Sequence, residues 1–208
     1  MREYRLGKLI LAVLALATVA CGSAKTSNYY TLRVNPPAGR SSVLAEKQLG
    51  VALPAATHLL RQDRLVYFTD RNQLNYYEYH RWAEPPPFMV QSLLIEELRG
   101  AGLFDNVVPY RAQKGLDYVL RGRLLAMEEV DTPGEISARF GLELELVRQE
   151  DARVVWSGHD SCQRPVPTRT VDAVVEALSG CAGETLSELT RSLQEAVRQL
   201  ERGGEGRP

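Results

Sequence analysis

The chain has 208 residues with 25 basic and 26 acidic side chains, a near balance that excludes the basic surface needed for nucleic-acid binding or for a polybasic membrane patch. Its length fits one domain able to bury a single core. No self-similarity at a period of 20–50 residues is visible, which excludes a solenoid or repeat array.

The first segment carries Arg2, Arg5 and Lys8, then an apolar run over residues 9–20 that ends at Cys21. A positive start, about a dozen apolar residues and small residues before a cut site describe a secretory signal peptide over residues 1–20. A lasting membrane span needs roughly 20 apolar residues, so this run is too short for one. Thr18-Val19-Ala20-Cys21 resembles the lipobox of bacterial lipoproteins, in which the signal is cut before the cysteine and acyl chains are attached to it. Cys21 is therefore the expected lipidation site. Cleavage removes three basic residues and one acidic residue, leaving 188 residues with 22 basic and 25 acidic side chains and a net charge of −3. Residues 22–28 are small, polar and unpatterned, and read as a tether that spans at most about 25 Å. The folded body is thus expected close to the membrane that holds the lipid.

Residues 29–34 are aromatic and β-branched, end before Pro36-Pro37, and predict a first strand. A short strand over 48–53 stops at Pro54, and 55–61 predicts a turn or two of helix. Residues 64–70 and 74–80 predict a hairpin across Arg71-Asn72 with aromatics on both faces, only one of which can face a core. The segment Arg81-Trp82-Ala83-Glu84-Pro85 closes the hairpin and opens a helix, because prolines at 85–87 are tolerated in a first turn. That helix carries Val90, Leu94, Ile95, Leu98 and Ala101 on one stripe and stops at Gly100 and Gly102. Strands follow at 104–108, at 117–128 (apolar on both faces, hence central), at 136–146 and at 152–159. In 136–146 apolar residues alternate with Ser137, Arg139, Gly141, Glu143 and Glu145, the pattern of an antiparallel strand with one solvated face. The last three strands form a meander. From Val171 to Leu200 one apolar phase persists through Gly180 and Gly183, which predicts a single helix over 169–201, and 202–208 reads as a disordered tail. The fold class is α/β (α+β): a mixed, largely antiparallel sheet with two main helices packed on it.

No phosphate-binding, dinucleotide-binding, zinc-protease or nucleophile-elbow motif occurs. His58, His80 and His159 are far apart in sequence and read as strand or loop residues, so no metal or cofactor is expected. Glu128, Glu129 and Asp131 lie at a strand end entering a turn, where solvated acid is ordinary, and Glu96-Glu97 falls partly on a polar helix face. Cys162 and Cys181 are an even pair in an oxidising compartment once Cys21 carries lipid. They read either as a bridge, which would contribute about 3 kcal/mol, or as two small buried thiols.

Cys21, Tyr29-Tyr30-Thr31-Leu32, the short strand before Pro54, the Arg81–Pro85 motif, the helix ending in Leu98 and the segment from Asp117 to Leu124 occur in a set order. Together they resemble the ABC-type transport auxiliary lipoproteins, the PqiC-like partners of Mce-domain lipid transporters. The resemblance implies one α/β domain over residues 29–201, without catalytic residues, anchored to the periplasmic face of the outer membrane. Gly22 supports that membrane, since an aspartate there would resemble an inner-membrane retention signal. As partners it implies an Mce-domain protein with an inner-membrane ABC permease and ATPase that move phospholipid or other apolar molecules; self-association stays open. Arg81, Trp82, Glu84 and Pro85 carry over as a motif, either structural or in contact with a partner. The alternative function is regulation of a periplasmic cell-wall synthase, against which the short tether argues, since reaching a distant enzyme favours a long linker.

Overall fold

The computed structural model describes residues 25–37, 43–70 and 73–204. In chain order they form β1 (Asn28–Tyr30), β2 (Ala45–Val51), β3 (Ala55–Ala56), a 3-10 turn (Leu59–Arg61), β4 (Arg64–Asp70), β5 (Gln73–Trp82), α1 (Pro86–Ala101), β6 (Phe104–Pro109), β7 (Tyr118–Thr132), β8 (Glu135–Arg148), β9 (Val154–Pro165) and α2 (Val171–Gly204).

Strand β7 is the axis of the sheet. Along one edge it pairs antiparallel with β8 from Tyr118↔Arg148 to Thr132↔Glu135. Its other edge is shared by three parallel segments in succession: β2 beside Tyr118–Leu120, β3 beside Arg123 and Leu124, and β4 beside Glu129 and Val130. Strand β9 extends the sheet beyond β8, β6 lies parallel to β2, and β5 and β1 continue outward from β4. The sheet is mixed, and its three antiparallel ladders include the two long ones of the meander, as the sequence pattern predicts.

Both helices cover one face. The α2 stripe of Val174, Leu178, Cys181, Ala182, Leu186, Leu189, Leu193 and Val197 packs on β8 and β9. Helix α1 lies over β6 and touches α2 through the same core, which includes Leu49, Val51, Leu120, Phe140, Leu142 and Leu146. The opposite face of the meander shows Arg121, Arg123, Glu143, Glu145, Ser157 and His159 in cross-strand rows, with Arg121 Nε donating to Glu145 at 2.8 Å.

Several elements differ from their predicted bounds for local reasons. Strand β1 ends at Tyr30 because the chain then crosses the helices: Leu32 is buried, and the Arg33 N–H donates to Ser179 Oγ at 3.1 Å. The helix predicted at 55–61 is instead β3, two residues captured by the β7 edge, followed by the 3-10 turn. Strand β9 runs on to Pro165 because β8 offers it partners down to Ser137. Helix α1 ends at Gly102, whose left-handed φ of 61° lets its N–H bond the Arg99 carbonyl at 3.1 Å. Helix α2 is continuous through Gly180 and Gly183 and reaches Gly204, so residues 202–204 belong to it and not to a disordered tail.

Candidate functional site

The Arg81–Pro85 motif is the joint where four elements meet. Arg81 Nη1 donates to both carboxylate oxygens of Asp63 at 3.1 Å, and the Trp82 N–H donates to the Asp63 carbonyl at 2.6 Å. The Ala83 N–H donates to the Tyr30 carbonyl at 2.7 Å, which ties down β1. Trp82 is 2% exposed and belongs to the core. Pro85, extended at ψ 138°, caps α1, while Ala83 and Glu84 are exposed. Within the motif Ala83 and Glu84 offer the solvent-facing surface, together with part of Arg81 and of Pro85.

The aromatic hairpin divides between two faces because β5 carries extra residues. From Arg64↔Arg81 to Val66↔Tyr76, two steps along β4 correspond to five along β5. On the covered side the Tyr30 hydroxyl lies 2.9 Å from His80 Nδ1, Tyr77 meets His80 edge-on at 5.5 Å, and the Tyr67 and Tyr77 rings are 4.9 Å apart. The Tyr77 hydroxyl donates to Glu129 at 2.8 Å. Burial pushes the Glu129 carboxyl above its usual range; the Tyr77 hydrogen bond opposes the shift, nearby Asp131 adds to it, and Arg169 opposes it. On the open side Tyr29 and Tyr76 are exposed, the Arg64 guanidinium lies over Tyr76 and Lys25 over Tyr79.

This corrects the reading of residues 128–131 as solvated acid. Glu129 is 3% exposed, and Glu128 is 7% exposed on the other sheet face, where Arg139 Nε donates to it at 2.8 Å. Asp131 pairs with Arg169 at 3.0 Å. Glu97 is likewise buried inside α1, and burial raises its carboxyl pKa. Sequence pattern missed all three burials, since nothing local marks a carboxylate that a distant strand or helix will cover.

Cys162 on β9 and Cys181 on α2 form a disulfide with Cα atoms 5.2 Å apart, fastening the first third of the long helix to the edge strand. Cys21 lies outside the described residues. His58 contacts Gln62 at 3.0 Å, His80 contacts Tyr30, and His159 stands opposite Glu143. Among the described residues no three metal-binding side chains gather. No described helix is long and apolar enough to cross a membrane.

The main depressions are open and lined by mixed charge. One, of roughly 660 Å³, lies at the start of β7 between Lys47, Asp117, Arg148 and Glu201. Another, of roughly 720 Å³, lies between β1 and α2 and is bordered by Tyr30, Arg164, Asp172 and Glu176. Their groups engage one another: Lys47 with Asp117 at 3.7 Å, and Arg164 with Glu184 beyond the rim at 3.0 Å.

Fold and surface thus define a single α/β domain with one helix-covered and one open sheet face. The chain belongs to the family of ABC-type transport auxiliary lipoprotein components, whose model matches residues 30–200. That family is one of cell-envelope lipoproteins. Among solved structures, the chain is similar to a Xanthomonas campestris protein of the DUF330 family, at 21% identity and a TM-score of 0.75, over 84% of this chain and 99% of that one. It is also similar to an uncharacterized protein at 17% identity and a TM-score of 0.64, over 81% of this chain and 99% of that one. These likenesses concern the fold. No curated protein matches this chain in sequence.

Proposed function

We propose that this protein is a non-enzymatic, lipid-anchored component of an Mce/ABC-type system that moves phospholipids or other apolar molecules across the cell envelope. In this reading residues 1–20 are removed, Cys21 is acylated, residues 21–28 tether the domain, and the body stands at the periplasmic face of the outer membrane. Its partners are an Mce-domain protein and the associated ABC permease and ATPase. The observation that carries the reading is the family match across residues 30–200, which begins nine residues after a lipobox-like Thr18–Cys21. The open, mixed-charge depressions support a docking role over a catalytic one.

The test is mild cross-linking in cells followed by purification of the tagged protein from detergent extract. Recovery of an Mce-domain protein is expected from the wild type, and its loss from Cys21→Ala, which should remain unassembled. Recovery of a cell-wall synthase in place of an Mce-domain protein would replace this function with the regulatory one.

A further inference from the structure

Lys25 is four residues past Cys21, so full extension keeps it within about 14 Å of the anchored residue. Its Nζ lies 5.1 Å from the centre of the Tyr79 ring on β5. Chain length therefore holds this corner of the sheet near the bilayer. The side chains that face outward there are chiefly tyrosines and cations. Tyr29 is 66% exposed and Tyr76 is 44% exposed, with the Arg64 guanidinium carbon 4.9 Å from the Tyr76 ring centre. Tyr29 pairs beside Arg81, and Arg81 opposite Arg64, so the three share the face away from Tyr30, His80 and Trp82. Of the charges at hand, Arg81 is held by Asp63, while Lys25 and Arg64 lie against the rings and Glu78 is the exposed acid beside Tyr79. Tyrosine with an apolar ring and a wet hydroxyl, next to a cation on a long apolar stem, suits the headgroup layer of a bilayer.

We infer that the outer face of β1, β5 and β4 rests on the phospholipid headgroups of the membrane that holds Cys21. The rings of Tyr29, Tyr76 and Tyr79 sit at headgroup depth, and Lys25 and Arg64 face lipid phosphate. The inference rests on the acylation of Cys21 in the reading above. It also orients the molecule. Strand β4 pairs with β7 at Glu129 and β2 pairs with it at Leu120, so the far depression at Asp117 is carried about 30 Å from this corner. That end, with Tyr110 and Tyr118, is left for protein partners.

The acylated protein would be reconstituted into vesicles of phosphatidylethanolamine and phosphatidylglycerol containing a phospholipid with a photoactivatable diazirine on its headgroup. Adducts are then mapped by mass spectrometry. The peptides holding Tyr29 and Tyr76 should be labelled about tenfold more than those holding Tyr110 and Tyr118, as expected for rings at the interface. The triple variant Tyr29→Ser, Tyr76→Ser, Arg64→Glu should lose most labelling of its 73–82 segment while keeping its thermal midpoint. Labelling centred on Tyr110 and Tyr118, or spread evenly, would overturn the proposal. An acylated Cys21 with no labelling of this face would also overturn it and leave a protein as the occupant. An N-terminal peptide without acyl mass would overturn the lipidation reading and this proposal together.

Discussion

Tyr77 and Glu129 meet on the covered side of the sheet, where the phenol of a crowded β5 donates to a carboxylate of β7 at 2.8 Å. The contact joins residues 52 positions apart and closes the region where β4 joins the β7 edge. Burial is the main influence on Glu129 and raises its pKa above the ordinary 4.5. A carboxyl that holds its proton more tightly when folded stabilises the fold fully below its unfolded pKa. That contribution is lost as pH rises through the raised, folded value.

Glu129→Gln keeps an acceptor for Tyr77 and removes the ionisation. Its thermal midpoint should therefore exceed that of the wild type at pH 7, with the gap closing as pH falls towards 4. Thermal unfolding of both proteins between pH 4 and pH 8 checks this. A gap of constant size across that range would show that Glu129 does not drive the pH dependence.

Tyr77→Phe removes the donor and leaves the carboxylate buried, which should cost about 1–3 kcal/mol at pH 7. Because the lost hydrogen bond was lowering the Glu129 pKa, the pH window of lost stability should extend further upward in this variant. The same unfolding series reads both effects, and a midpoint unchanged at every pH would remove the pair from the stability account.

These carboxylates mark what sequence pattern could and could not reach. The alternation over residues 136–146 and the unbroken phase of α2 were legible because one wrong step would turn every apolar side chain to water. The parallel ladders were not, since β2, β3 and β4 reach one edge of β7 from separate parts of the chain. Nor was the burial of Glu97, Glu128 and Glu129, because carboxylates near a turn or on a helix read as solvated until distant elements close over them. The two-sided aromatic hairpin was legible, but the extra residues of β5 that aim Tyr77 inward were not. The Arg81–Pro85 motif could be located in sequence. The covering of Trp82 by the core could not.

Trp82→Ala should behave as a core deletion, costing about 3–5 kcal/mol. At this chain length that corresponds to roughly 10 °C in thermal midpoint. Trp82 is 2% exposed, so partner recovery should fall only in step with the lost fold. Calorimetry beside a pull-down at low temperature separates the two effects; lost recovery with an unchanged midpoint would make Trp82 a contact residue.

Two helix glycines should respond to alanine with opposite signs. A Cβ at Gly183 would come no nearer than 3.4 Å to Val34, so Gly183→Ala should add about 1 kcal/mol through helix propensity. A Cβ at Gly100 would stand 2.5 Å from the Pro37 carbonyl oxygen, a backbone atom that cannot step aside cheaply. Gly100→Ala should therefore destabilise, by lifting residues 36–37 off α1. Urea midpoints of the two variants check the signs, and a gain in both would mean that the Pro37 segment yields freely.

The disulfide acts in the first third of a 34-residue helix, between positions separated by 19 in sequence. Closing a loop of that size should contribute about 3 kcal/mol by restricting the unfolded chain. The paired change Cys162→Ala, Cys181→Ala should lower the urea midpoint accordingly. Cys181 is fully buried on the sheet-facing side of α2 while Cys162 faces it from β9, so the loosening should be local. Hydrogen exchange should rise first along residues 174–190 and along β9, and last at the β7–β8 ladder. Exchange that rises uniformly would instead place the whole effect in the unfolded state. Both patterns keep the fold, because the apolar stripe from Val174 to Val197 continues to hold α2 on the sheet.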